Sequence, residues 1–222
     1  MLIMRKKSPK SYEYIDQLLI SETPEMSQAR KQSENLGLDS ISISSTEAHV
    51  IKFHLLGIQA RKVIEIGTLT GLSALHILAV LPTDGLLISF EKSREHADLA
   101  AAVLKTEIQT GRCRIITGDA REKLSGVNSE GPFDAVFIDG NKAAYLDYYN
   151  WALENTRSGG LIFVDNIFLA GAVWGDETKQ SFNPKQIDVV RRMNLKAFSD
   201  QNLSSVIIPT EEGLLITRKK SQ

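Results

Sequence analysis

From Lys62 onward the sequence alternates short β-branched runs with helical stretches, and few arrangements satisfy that alternation apart from a mainly parallel sheet covered on both faces. The runs are Lys62 to Ile66, Leu86 to Glu91, Arg114 to Thr117, Ala135 to Asp139 and Leu161 to Asp165. Between them, Leu72 to Leu81, Arg94 to Ile108 and Tyr145 to Asn155 carry apolar residues at helical spacing. A predicted helix from Lys185 to Phe198 then leads to Ser204–Ile208, a turn through Pro209 to Gly213, and Leu214–Thr217, which reads as an antiparallel hairpin. Before Lys62 the spacing predicts helices near Ser11–Ile20, Pro24–Asn35 and Thr46–Gly57, with an apolar stripe at Tyr12, Ile15, Leu18 and Leu19. The expected organisation is an N-terminal helical extension over residues 1–57, serving as a cap or dimerisation element. It is followed by the main α/β domain over 58–222, the two acting as one functional unit. With 222 residues, 42% of them apolar, the chain is long enough for one such core.

The stretch Glu65-Ile66-Gly67-Thr68-Leu69-Thr70-Gly71-Leu72-Ser73 joins the first strand to the helix after it. Glycines there let a ligand touch backbone. A dinucleotide loop has three glycines and faces a pyrophosphate, whereas this one has Gly67 and Gly71 and carries an acid, Glu65, that would repel such a group. A zwitterionic amino-acid cofactor with a cationic sulfonium, which is the chemistry of S-adenosylmethionine, suits it better: a carboxylate can hold the cationic part while loop amides take the carboxylate. Glu91 ends the second strand at the roughly 20-residue distance expected of an acid that accepts from ribose hydroxyls. Gly118-Asp119-Ala120 follows the third strand and can border an adenine.

Parallel strands bring Asp139, at the end of the fourth run, beside Asp165 and Asn166, at the end of the fifth. Two carboxylates and an amide oxygen are hard ligands suited to magnesium, with manganese and calcium as alternatives. Taken singly, Asp139 also fits a capping role and Asp165-Asn166 a turn. The four histidines (His49, His54, His76, His96) show no zinc spacing.

Lys plus Arg number 26 and Asp plus Glu 27, so no basic face suggests a nucleic-acid partner. Clusters at Arg5–Lys7 and Arg218–Lys220 read as solvated ends. One cysteine, Cys113, excludes an intramolecular disulfide, and no apolar run reaches the ~20 residues of a membrane span. The N-terminal Met1–Lys7 lacks the apolar core of a signal peptide, and the expected location is cytoplasmic, with no membrane partner.

Together these motifs resemble the cation-dependent O-methyltransferases, the family of caffeoyl-coenzyme A and catechol-type enzymes, bacterial members included. The resemblance runs from about Ile41 to Arg218. It is carried by the Glu65–Ser73 loop, by Phe133-Asp134-Ala135-Val136-Phe137-Ile138-Asp139-Gly140-Asn141-Lys142, by Tyr145 and Tyr149, by Gly159-Gly160 leading to Asp165-Asn166, and by Gly213-Leu214-Leu215-Ile216. It implies the Rossmann-like α/β fold of class I S-adenosylmethionine-dependent methyltransferases, with a seven-stranded, mostly parallel sheet whose last strand is antiparallel. It also implies that Asp139, Asp165 and Asn166 bind metal, that Lys142 is the base, and that Glu65, Gly67, Thr68, Ser73, Glu91, Ala120 and Asp139 meet the cofactor. The implied reaction is methyl transfer to a hydroxyl of a catechol-like or phenolic small molecule in a homodimer. The family has Ala then Asp where this chain has Gly140 and Asn141. After Asn166, Ile167 to Trp174 replaces its Trp and small-residue turn, which points to a different acceptor preference, with Phe168 and Trp174 expected near the acceptor.

Metal coordination favours the anion of a phenol whose ordinary pKa is near 10, and chelation of a vicinal diol aligns one oxygen for in-line displacement. Other readings are a metal-independent methyltransferase acting on an amine or RNA, and a non-catalytic S-adenosylmethionine-binding protein. A nicotinamide dehydrogenase is disfavoured by the missing third glycine.

Overall fold

The structure is a computed structural model that describes residues 10–19, 22–38, 41–176 and 182–220. Residues 1–9, and Ile20 at the end of the first predicted helix, lie outside that set, as does the side chain of Tyr12.

Seven strands form one sheet in the order β3-β2-β1-β4-β5-β7-β6. They are β1 (Lys62–Ile66), β2 (Leu86–Glu91), β3 (Cys113–Thr117), β4 (Phe133–Ile138), β5 (Thr156–Val164), β6 (Leu203–Ile208) and β7 (Leu214–Lys219). Neighbours from β3 through β5 pair in parallel, and β7 runs antiparallel to both β5 and β6. The described helices are α1 (Lys10–Leu18), α2 (Pro24–Asn35), α3 (Ser45–Gly57), α4 (Leu72–Leu78), α5 (Arg94–Val103), α6 (Lys105–Gln109), α7 (Ala120–Lys123), α8 (Tyr145–Asn155) and α9 (Pro184–Ser199).

Because strand side chains alternate between faces, each strand feeds two cores. Ile64, Ile66, Ile88, Phe90, Val136 and Ile138 pack with α8 and α9 through Tyr145, Tyr149, Val190 and Met193. Val63, Leu87, Ala135, Phe137 and Phe163 face the other way and share a core with α2, α3, α4 and α5. α2 and α3 therefore belong to the same packed body as the sheet, with Met26, Ala29, Ile51 and Leu55 buried. Ser44 and Glu47 start α3 with a reciprocal capping box, and Asn183 with Gln186 does the same for α9 ahead of Pro184. No helix among the described residues is long and apolar enough to cross a membrane.

Several boundaries differ from expectation. α4 ends at Leu78 rather than Leu81, since Pro82 disfavours helical backbone in the residue before it. The single helix expected over Arg94–Ile108 is two, α5 and α6, divided at the wholly buried Leu104. β5 starts at Thr156 rather than Leu161, its pairing with β4 made irregular between Phe133 and Ala135.

Candidate active site

The strand order reverses between β1 and β4, because the chain leaves β1 toward β2 and returns to β4 on the other side. Such a switch opens a crevice at the carboxyl ends of the two strands. A cavity of about 390 Å³ lies there, and Gly67, Thr68, Ser73, Glu91, Ala120, Asp139, Lys142 and Asn166 all line it.

Gly67 is required by the geometry of that crevice. Its φ is +96°, and a Cβ there would stand 2.3 Å from the Asp139 carbonyl oxygen. The Asp139 amide donates to the Ile66 carbonyl at 2.9 Å and the Asp165 amide to the Ile138 carbonyl at 3.0 Å, so strand pairing carries on past β4 and β5 to fix both acids.

The loop between β1 and α4 is braced from outside. Glu91 accepts from the backbone amides of Thr68 at 3.2 Å, Leu69 at 2.9 Å and Ser93 at 2.8 Å. Leu69 sits at a φ of +50°, which an L side chain adopts reluctantly, and the carboxylate holds it there. Asp119 caps α7 and is kept well below the usual carboxylate range, chiefly by the Arg121 guanidinium.

Glu65 is placed differently from the expectation that it faces the cofactor. Along β1 it points the same way as Val63, into the face covered by α4, and is wholly buried without lining the cavity. The Ser73 hydroxyl donates to it at 2.6 Å and the Ser89 hydroxyl donates from the neighbouring strand. Burial pushes its carboxyl up to about 7, with those hydroxyls opposing the rise. Ser73 thus has two environments, the cavity and the buried acid beneath it.

Asp139, Lys142 and Asn166 line the other end of the cavity, with Tyr145 and Asp165 buried next to them and outside its lining. Lys142 donates to Asp139 Oδ1 at 2.7 Å, to Asn166 Oδ1 at 2.5 Å and to the Tyr145 hydroxyl at 2.5 Å. Tyr145 in turn donates to the Asp165 carbonyl at 3.0 Å. Asp165 is buried, its carboxylate accepting from the Asn166 amide at 2.7 Å. Burial pushes the Asp165 carboxyl well above the ordinary carboxylate range, and the negative charges of Glu47 and Asp139 add to the rise. Among the described residues no three His, Cys, Asp or Glu side chains cluster to hold a metal ion, so any such site draws on the Asn166 amide as well.

The departures at 140 and 141 have local reasons. A Cβ on Gly140 would lie 3.3 to 3.4 Å from Ile66 and Tyr148, tighter than most real contacts, and Asn141 caps the turn Lys142–Ala144 by accepting from the Ala143 amide at 3.1 Å.

Phe168 and Trp174 meet edge to face with centroids 5.2 Å apart, yet neither lines the cavity. Phe182 and Glu212 do, together with Ile41, Ser42 and Ile43 from the segment before α3. The loop after Asn166 is stitched to the β6–β7 hairpin: the Phe168 amide donates to Glu212 O and the Ile167 amide to Gly213 O. Gly213, at a φ of +78°, lies so close to the Phe168 ring that a Cβ would be 2.7 Å from it. The ring packs on Gly213 outside the cavity lining, and Glu212 lines the cavity instead. Nothing in the local sequence signals Glu212 or Ile41–Ile43, which reach the cavity only through tertiary packing.

Residues 17–220 match the family described as O-methyltransferase. The chain belongs to this family. It is 32% identical over 169 residues to a catechol O-methyltransferase of Niastella koreensis, covering 75% of this chain and 76% of that protein. In structure it is similar to a Streptomyces achromogenes O-methyltransferase involved in tomaymycin synthesis, solved in complex with SAM. The TM-score is 0.85 at 26% identity, with 96% of each chain covered. An O-methyltransferase from Bacillus cereus, solved with SAH, gives a TM-score of 0.84 at 26% identity, covering 95% of this chain and 97% of that one.

Proposed function

We propose that this O-methyltransferase moves the methyl group of S-adenosylmethionine to a hydroxyl of a catechol-like or phenolic small molecule, with a divalent cation at Asp139, Asp165 and Asn166. The observation that carries the reading is the convergence of Lys142, Asp139 and Asn166 at the end of a cavity whose other end is the β1 loop. The SAM and SAH complexes of similar proteins support the cofactor, and the catechol O-methyltransferase relative supports the acceptor class.

The donor set fits a hard ion such as magnesium, manganese or calcium: two carboxylates and an amide oxygen. The oxygens of Asp139 and Asn166 already receive an ammonium group in this structure, so they face a common point that accepts positive charge. A bound divalent ion supplies Lewis acidity that favours the anionic form of an acceptor hydroxyl, and S-adenosylmethionine supplies the transferable methyl group. Gly67 and Thr68 give the cofactor close backbone contact, Glu91 holds that backbone in shape and Ala120 borders the far side. Lys142 Nζ, as the neutral amine, takes the acceptor proton and becomes the ammonium. Phe182 and Ile43 exclude water from the walls, and Glu212 sets the polarity of the acceptor side.

We also propose a homodimer. Leu18 and Tyr14 on α1 and Phe53 and Leu56 on the neighbouring α3 are exposed, at 65%, 62%, 74% and 57%, which is a large apolar area for helices of a free monomer. Light scattering that returns a monomer mass would refute this assembly.

The test of the reaction is methyl transfer from labelled S-adenosylmethionine to a panel of catechols, with EDTA and then with excess magnesium. Transfer abolished by EDTA and restored by magnesium is the expected result. Transfer indifferent to EDTA would favour the metal-independent reading.

A further inference from the structure

The oxygens that receive Lys142 are the oxygens assigned above to the cation. Its ammonium has three N–H donors, and the structure gives it three acceptors: Asp139 Oδ1, Asn166 Oδ1 and the Tyr145 hydroxyl. The side chains of Lys142 and Asp139 are only 16% and 18% exposed, and Tyr145 is wholly buried. This is a formed cage around one positive charge, and a second cation cannot share its centre.

We propose that Lys142 is the resident cation of the metal-free enzyme: its ammonium and the divalent ion compete for Asp139 and Asn166, and metal loading moves the amine out of the cage toward the acceptor side of the cavity. The inference rests on the metal reading given under the proposed function. The local architecture suits such a two-position lysine. The backbone of residue 142 is fixed, because it opens the short turn Lys142–Ala144 and Asn141 caps that turn. Only the flexible four-carbon stem has to move. The cage also lies where adjacent strand ends bring the acids Asp139 and Asp165 together. The arrangement further orders events: the Lys142 side chain reaches the acceptor side only once the divalent ion has taken its place in the cage.

The competition is read by titrating the full-length chain with Mn²⁺ in the presence of S-adenosylhomocysteine, following the electron paramagnetic resonance of free Mn²⁺. Lys142→Met is expected to tighten Mn²⁺ binding by about tenfold or more, the scale of one charge-assisted contact. The metal-free variant should also melt below wild type, with Mn²⁺ restoring the difference. Tyr145→Phe keeps the lysine but removes one of its three contacts, so it should tighten binding by a smaller factor and carries the test should Lys142→Met fold poorly. Equal or weaker Mn²⁺ binding in both variants, with wild type still binding, overturns the competition and leaves the metal site standing. A wild-type chain that binds no Mn²⁺ overturns the metal assignment itself, and the competition with it.

Discussion

Replacing Gly67 by Ala tests the central claim that the crevice depends on the close approach of β1 and β4. The new methyl would stand 2.3 Å from the Asp139 carbonyl oxygen, 2.9 Å from its carbon and 3.2 Å from the Gly140 Cα, all of them backbone that no side-chain rotation can relieve. A non-glycine residue in left-handed backbone costs about 1–2 kcal/mol. Forcing a methyl into packed surroundings costs about 1–3 kcal/mol. The sum, about 2–5 kcal/mol, corresponds to a loss of roughly 4–20 °C in Tm for a chain of this size. Relief by separating the strand ends would stretch the Asp139 amide bond to Ile66, so S-adenosylmethionine affinity should fall together with stability. Thermal unfolding by circular dichroism and cofactor titration by calorimetry measure the two effects. Gly57→Ala is the control, because its Cβ meets nothing within 4 Å at an ordinary φ, and it should be neutral or stabilising by about 0.5–1 kcal/mol. A Gly67→Ala chain that melts like wild type and binds the cofactor normally would refute the argument.

Three further outcomes follow from buried or bracing groups. Glu65, at about 7 against an ordinary 4.5, binds its proton more tightly folded than unfolded, so stability should fall as pH rises from 4.5 to 7, by roughly 3 kcal/mol; Glu65→Gln should flatten that slope in urea titrations. His76 has the opposite sign: burial lowers it to about 4 from 6.5, the unfolded chain takes the proton first, and stability should fall by roughly 3 kcal/mol as pH drops through that window. His76→Leu should remove this second slope, and a variant as acid-sensitive as wild type would show that another group dominates. Glu91→Ala frees three backbone amides, so S-adenosylmethionine affinity should drop by about tenfold or more, with faster hydrogen exchange at Thr68 and Leu69. Unchanged exchange would mean that the loop is held by something else.

The parts of the molecule legible in the sequence are those fixed by local periodicity and strand-end chemistry. Gly67, Asp139, Asp165, Asn166 and Lys142 belong to this class, because a parallel sheet places the carboxyl ends of its strands together whatever the side chains between them. The enclosure of Glu65 was illegible, since it depends on Ser89 lying directly opposite on β2, a matter of register between strands more than twenty residues apart. Glu212 was hidden for the same kind of reason. It enters the cavity because the loop after Asn166 bonds to the β6–β7 hairpin, and that same pairing packs Phe168 against Gly213, outside the cavity lining. The break at Leu104 had no local signal either, as the residue is a good helix former drawn into the core.

The placement of β7 between β5 and β6 has a consequence for how the enzyme is made. Until β7 pairs, one hydrogen-bonding edge of β5 has no partner, although β1 through β5 can already pair with one another. The hairpin that closes that edge also brings Glu212 to the cavity wall. Completing the sheet and completing the cavity wall are therefore one folding event. A chain truncated before β7 would expose the hydrogen-bonding edge of β5 and lack the Glu212 wall of the pocket.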